Sequence, residues 1–476
     1  MNKSRINIFI ALYIFILALV CICSSPLIDC MFTDSAIFIA MGRGMAAGKI
    51  IYKELFDHKG LYIFFLNYFA ALIDNKSQIG LFIIEYIFMF ISAKFVHSSL
   101  RLYADEKVSL LGMQILMLFA FMRGPLGGGN FTEEYALMFQ LSSIYFLLKY
   151  LKDKQARPSY MFVHGVNAGV VLFLRANLVM MWGAIAILIG YELLRAKDYR
   201  NFIKNLLAGF LGLLAASLPV IIYLVKTGTV NEGIFAMFTF NMSYINDGQS
   251  YLLKVVKTIF NVYFSIIMLM AAILCSLILC FRRKHAIYYL LLLAFSLLSV
   301  SLSGRKYGHY YLYLVPFVMP FAYGLSMKLV KYKYAALIIF VISIALGFRP
   351  SDKYRPLLGL KTVDTAPFVE YNRKYYSEHE KVLVTGNFAE FYNRLGVIPH
   401  EKYFFVPASD YEIFPEPRNS QAQSIISGVN DVIVITTPEN YFQETGMAEE
   451  INDVLSKNYE LLYHDGKNNI SMYGRK

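Results

Sequence analysis

The chain has 476 residues, of which 57% are hydrophobic and only 16% charged, with 36 Tyr and 39 Phe. A soluble protein carries about a quarter charged residues, so this composition excludes an ordinary soluble enzyme and indicates an integral membrane protein. The excess of 45 basic over 33 acidic residues suits cytoplasmic loops; with no nucleic-acid motif beside it, it gives no reason to expect a nucleic-acid partner.

In chain order, Lys3 and Arg5 precede a first apolar segment, Ile6 to Ile28. No small-residue cleavage pattern follows, so it reads as an uncleaved span. The next loop, residues 29–77, is dense in ionisable groups: Asp34 opens it and Asp57-His58-Lys59 falls near its end. Between them Ile37, Phe38, Met41 and Met45 form a helical stripe that stops at Gly48. The apolar run Leu61–Ile73 is too short to cross and suits an interfacial helix.

Ten further candidate spans follow: Gln78–Leu100, Val108–Met122, Tyr135–Tyr150, Tyr160–Leu174, Leu178–Leu194, Leu206–Val225, Ile259–Phe281, Ala286–Leu302, Tyr311–Met327 and Tyr334–Phe348. With the first, they make about eleven transmembrane helices. If Leu61–Ile73 stays at the surface, the basic loops 101–107, 149–157, 195–204, 282–285 and 328–333 share a side with Lys3 and Arg5. The positive-inside rule makes that side cytoplasmic. The first loop, 123–134, Arg175, 226–257, 304–309 and everything beyond Arg349 then lie outside.

Residues 1–348 thus read as a membrane module and 349–476 as an extracytoplasmic α/β domain. Lys381–Thr385 and Asp431–Thr436 are β-branched runs of buried-strand type, with helices near 388–395, 420–427 and 447–455. Gly386 lacks a G-x-G-x-x-G context, so no nucleotide site is indicated. No internal repeat is visible. The five cysteines (21, 23, 30, 275 and 280) show no disulfide or zinc spacing and read as small hydrophobes.

Two acidic sites on one membrane face, Asp34 and Glu133-Glu134, could supply a general base or hold a divalent metal, for which Asp34 and Glu133 are the candidate ligands. Asp34 equally suits an N-cap, and Thr132 could cap the helix that the two glutamates begin. Gly127-Gly128-Gly129 would let backbone approach a ligand. Lys59 and His58 suit a phosphate, with interfacial anchoring as the plainer role for Lys59. Arg175 interrupts an apolar stretch and should face a polar cavity or the outer surface. The segment 303–311, with Arg305, Lys306, His309 and several tyrosines, suits phosphate and sugar contacts or an aromatic belt.

Asp34 in an outer first loop, Y-x-x-L-F-D-H-K-G-L at Tyr52–Leu61 leading into a short helix, and N-F-T-E-E-Y at Asn130–Tyr135 together resemble the GT-C membrane glycosyltransferases. The likeness is to the protein O-mannosyltransferase and lipid A aminoarabinose transferase type. Bacterial members with a DHKGP-like motif are most similar, with Leu61 here in place of the proline. The resemblance implies an undecaprenyl-phosphate-linked sugar donor, a cell-envelope acceptor and inverting transfer outside a bacterial cytoplasmic membrane. It implies Asp34 as base or metal ligand, Glu133 or Glu134 as the second acidic site, and His58 and Lys59 at the donor phosphate. Arg175 and Arg305 join the phosphate site by location. The competing readings are a flippase or transporter of lipid-linked glycans, which would need polar midplane residues beyond Glu85 and Lys94, and a glycan polymerase.

Overall fold

The computed structural model describes residues 2–28, 30–245, 250–260, 264–281, 286–302, 304–350, 381–407, 411–436, 441–466 and 469–476. The expected basic loop at 282–285, Ser303 and the stretch 351–380 lie outside these residues.

The helices follow the apolar segments closely. Helix α1 is Lys3–Cys21, α2 Thr33–Ala46, α3 Leu61–Ile73, α4 Ile79–Arg101, α5 Glu106–Phe121, α6 Thr132–Asp153, α7 Pro158–Leu172, α8 Met180–Arg195 and α9 Tyr199–Thr227. Helices over Phe264–Phe281, Ala286–Ser301, Met319–Leu329 and Ala335–Gly347 follow, with a 3-10 segment Gly308–Val318 leading into the third. Among the described residues, five helical stretches are long and apolar enough to cross a membrane, or six if a bent pair forms one span. The 13-residue α3 is among the shorter ones. A polytopic helical membrane protein is the architecture; these lengths leave the expected count of eleven unconfirmed.

Two cap assignments change. Helix α2 begins at Thr33 and its N-cap is Phe32, so Asp34 lies in the first turn with its carboxylate not used as a cap. Likewise Phe131 is the N-cap of α6, and Thr132 turns its hydroxyl onto Glu133 instead. The cysteine reading is also corrected: Cys23 and Cys30 form a disulfide, because the loop after α1 folds back until their Cα atoms are 4.9 Å apart. A separation of seven residues carries no signature that would have revealed it.

The glycine run does not open toward a ligand. Gly127, Gly128, Gly129 and Asn130 all have positive φ, which lets the turn pack against protein. A Cβ on Gly128 would lie 2.5 Å from the Phe32 ring, and one on Gly129 would lie 2.2 Å from Glu85 Oε1. This turn presents Asn130, which exchanges two 3.0 Å amide hydrogen bonds with Asn67 of α3 and donates to Ser35 of α2. Tyr135 of α6 also donates to Asn130. One buried amide therefore ties α2, α3 and α6 together at the level of the first loop.

Residues 381–476 carry a four-stranded sheet ordered β1-β2-β4-β3, from Val382–Val384, Val432–Ile435, Tyr459–Asp465 and Ile470–Arg475. Strands β1 and β2 are parallel and the other pairs antiparallel. Leu383 and Ile433 pack on one face with Ala422, Ile425 and Ile451, while Val382, Val384, Val432 and Val434 enter a core on the other face with Phe391 and Phe404. Burial on both faces explains unbroken apolar runs instead of alternation. The β3–β4 pair carries no unbroken apolar run in the sequence, because its strands mix exposed and buried positions.

This unit sits on the first loop. Arg43 donates to the Asn393 carbonyl at 2.9 Å, Asn393 donates back to the Ala36 carbonyl at 2.7 Å, and the Phe56 amide donates to the Lys402 carbonyl at 2.9 Å.

Candidate functional site

A cavity of about 580 Å³ opens where the first loop, α7, the segment before α8, the turns after α9, the 307–310 segment and the C-terminal unit meet. Asp34, Asp57, His58, Lys59 and Arg175 all line it. Its remaining wall is largely apolar or aromatic, with Met180, Met237, Phe238 and Phe240 on one side.

The Tyr52–Leu61 motif builds one corner. Tyr52 is fully buried with φ of 71°, and its hydroxyl donates to the Lys59 carbonyl at 2.8 Å. Gly60 passes so close to the end of α7 that a Cβ would sit 2.0 Å from the Phe173 carbonyl oxygen. Asn241 donates to the His58 carbonyl at 2.8 Å. The backbone of all three residues is thereby fixed.

The side chains of Asp57, His58 and Lys59 form a relay. Lys59 Nζ lies 2.7 Å from His58 Nε2. An ammonium group has only donors, so Nε2 accepts and the ring proton resides on Nδ1. That nitrogen lies 3.0 Å from Oδ1 of Asp57, which also accepts the His58 backbone amide at 2.6 Å. Burial pushes the Asp57 carboxyl up, but the contacts from His58 and the charge on Lys59 outweigh it and hold the group below its usual range. Burial and the Lys59 charge push His58 down despite the attraction of Asp57. A neutral imidazole between a carboxylate and an ammonium is the consistent state. His58 thus braces Lys59 and also lines the cavity.

Arg175 forms the second cationic corner. It is ion-paired with Glu133, whose side chain is 1% exposed, donates to the Tyr310 hydroxyl at 2.7 Å and lies over the Tyr310 ring at 4.3 Å. Asp34 is within electrostatic reach of Arg175 and of His309, which stacks on Phe131 at 4.0 Å. Glu133 stands behind Arg175 and does not itself line the cavity. Glu134 is fully buried, accepts from the Asn130 amide at 2.7 Å and lies against Glu85. It supports the glycine turn. Arg305 is exposed beside Tyr307, outside the cavity lining.

Among the described residues, no group of three or more His, Cys, Asp or Glu side chains is arranged to hold a metal ion. Of the two candidate metal ligands, Asp34 lines the cavity and Glu133 is ion-paired with Arg175. The sequence assigns no role to Asp57, Asn241 or Asn387, and Tyr310 enters it only as one of the aromatics of segment 303–311. Asp57 was visible in the DHKG motif; Asn387 had no signal, since only tertiary packing brings it here.

A family model described as competence-induced protein Ccs4 N-terminal domain matches residues 2–338. The chain belongs to that family. No curated protein matches it. Among solved structures, ArnT from Cupriavidus metallidurans bound to undecaprenyl phosphate is similar, with a TM-score of 0.69 at 11% identity, covering 99% of this chain and 98% of that one. The archaeal oligosaccharyltransferase AglB from Archaeoglobus fulgidus, in complex with an inhibitory peptide and a dolichol-phosphate, gives 0.52 at 12% identity over 99% and 74% of the two chains. The arabinofuranosyltransferase AftD from Mycobacteria gives 0.51 at 11% identity over 100% and 40%. The chain shares the fold of these three structures.

Proposed function

We propose that this Ccs4-family chain, with its GT-C fold, is a membrane glycosyltransferase. It moves a sugar from a polyprenyl-phosphate-linked donor to a cell-envelope acceptor at the outer face of the cytoplasmic membrane, with inversion. The observation that carries this reading is the gathering of Asp34, Lys59 and Arg175 in one cavity with a methionine- and phenylalanine-rich wall. A phosphate with an apolar tail matches such a chamber; a flippase offers no reason for a carboxylate opposite a supported lysine.

In the reaction, the acceptor hydroxyl gives its proton to the Asp34 carboxylate as its oxygen attacks the anomeric carbon. The bond from that carbon to the phosphate oxygen breaks, and polyprenyl phosphate leaves with one more negative charge. Lys59, held by His58 and Asp57, faces that growing charge. Arg175 adds a second cation whose charge Glu133 partly offsets. No step requires a metal.

Residues 1–348 would form the membrane module and 349–476 an extracytoplasmic unit, with the N-terminus in the cytoplasm. The Cys23–Cys30 disulfide fits an outer first loop, since disulfides persist in oxidising compartments. The test is release of undecaprenyl phosphate from an undecaprenyl-phosphate-linked sugar by purified protein. Asp34→Asn and Lys59→Ala should each abolish it without loss of membrane insertion; full activity in either would sink the assignment.

A further inference from the structure

The C-terminal unit closes one side of the cavity with Asn387, Phe405 and Pro407. Asn387 follows β1 by three residues, at the carboxyl end of the parallel β1–β2 pair. In open α/β sheets that end is where ligands bind, because the loops there leave a crevice. Here the crevice faces the membrane module. Its backbone is braced: the Gly386 amide donates to Gln421 at 3.1 Å, and the Val406 amide donates to the Gly386 carbonyl at 2.9 Å. Asn393 hydrogen-bonds the Ala36 carbonyl, so the helix after Asn387 is anchored to the first turns of α2, the helix that carries Asp34.

Against this order, the Asn387 Oδ1 is buried and has no hydrogen-bond partner among the described residues. A buried amide oxygen without a partner is costly, so a turn of this cavity-lining side chain that brings its carboxamide to a ligand hydroxyl is favoured. An amide offers an acceptor and two donors, which matches a sugar hydroxyl that both gives and takes a proton. Phe405, almost fully buried against Phe404, backs the same wall.

We infer that Asn387, on the wall contributed by the C-terminal unit, is a sugar-hydroxyl contact of the cavity and helps select which pyranoside binds beside Asp34. The assignment takes its substrate class from the transferase reading. Its ligand is a pyranose hydroxyl, whether of the acceptor or of the donor sugar.

The test uses full-length protein in nanodiscs and saturation-transfer NMR with methyl glucoside, methyl galactoside and methyl mannoside as probes. Wild type should saturate the ring protons of at least one. Asn387→Ala should weaken that glycoside about threefold to tenfold, the loss of one neutral hydrogen bond, and Asn387→Ser should recover part of it. Undecaprenyl phosphate binding should stay unchanged in both, which also certifies the fold. Loading with undecaprenyl-phosphoryl-glucose should displace the probe if Asn387 serves the donor sugar and leave it bound if it serves the acceptor. No signal from any glycoside in wild type, or equal signal in wild type and Asn387→Ala, would overturn the assignment. Asn387-dependent glycoside binding in a protein that binds no undecaprenyl phosphate would sink the transferase reading and leave this contact standing.

Discussion

Replacing His58 with alanine isolates the relay from the residues that touch the donor. Lys59 keeps its charge but loses the 2.7 Å contact to Nε2, and Asp57 loses its 3.0 Å partner. A hydrogen bond to a charged group contributes about 1.5–3 kcal/mol, which corresponds to about a 10- to 150-fold fall in kcat/KM. Donor turnover measured from pH 5 to 9 adds a second reading. Burial and Lys59 lower the His58 value below 6.5, so the relay is intact at neutral pH. It fails as pH falls through that depressed value, where Nε2 is protonated and can no longer accept from Lys59. The stability His58 contributes has the same sign: it is present above 6.5 and is lost progressively below it. Wild type should show this acid limb and His58→Ala should lack it. A His58→Ala enzyme with the wild-type rate and an unchanged acid limb would refute the relay.

Other perturbations probe the frame. Glu133→Ala leaves the Arg175 guanidinium without its buried partner and should cost about 3–5 kcal/mol, read as a lowered thermal midpoint, with Glu133→Gln less severe. Gly60→Ala drives a Cβ toward the Phe173 carbonyl; the chain should still insert, but donor turnover should fall at least tenfold as Lys59 shifts. Asn130→Ala removes the amide joining α2, α3 and α6 and should lower thermal stability by about 1–3 kcal/mol, where an unchanged midpoint would count against that network.

Much of the frame was legible because membrane helices are written as local apolar runs. The α3 boundaries, Leu61–Ile73, match the predicted surface helix at both ends, and both apolar strand runs became the parallel pair β1–β2. Asp34, His58, Lys59 and Arg175 were readable as charges that apolar surroundings would not tolerate without a purpose. What stayed hidden depends on contacts between distant segments. Glu133 and Glu134 look alike in sequence, yet one turns to Arg175 and the other to Glu85 and the Asn130 amide, 42 residues apart in the first case. The glycine run advertised open backbone, but Phe32 and Glu85 fill that space. Asn387 reaches the cavity only because the C-terminal unit docks on α2.

The most direct measurement is an experimental structure of the full chain with undecaprenyl phosphate bound. The phosphate should lie within hydrogen-bonding distance of Lys59 Nζ, with Asp34 across the same chamber and the prenyl chain along the Met180, Met237 and Phe238 wall. A phosphate seated away from Lys59, with the cavity without lipid, would contradict the account.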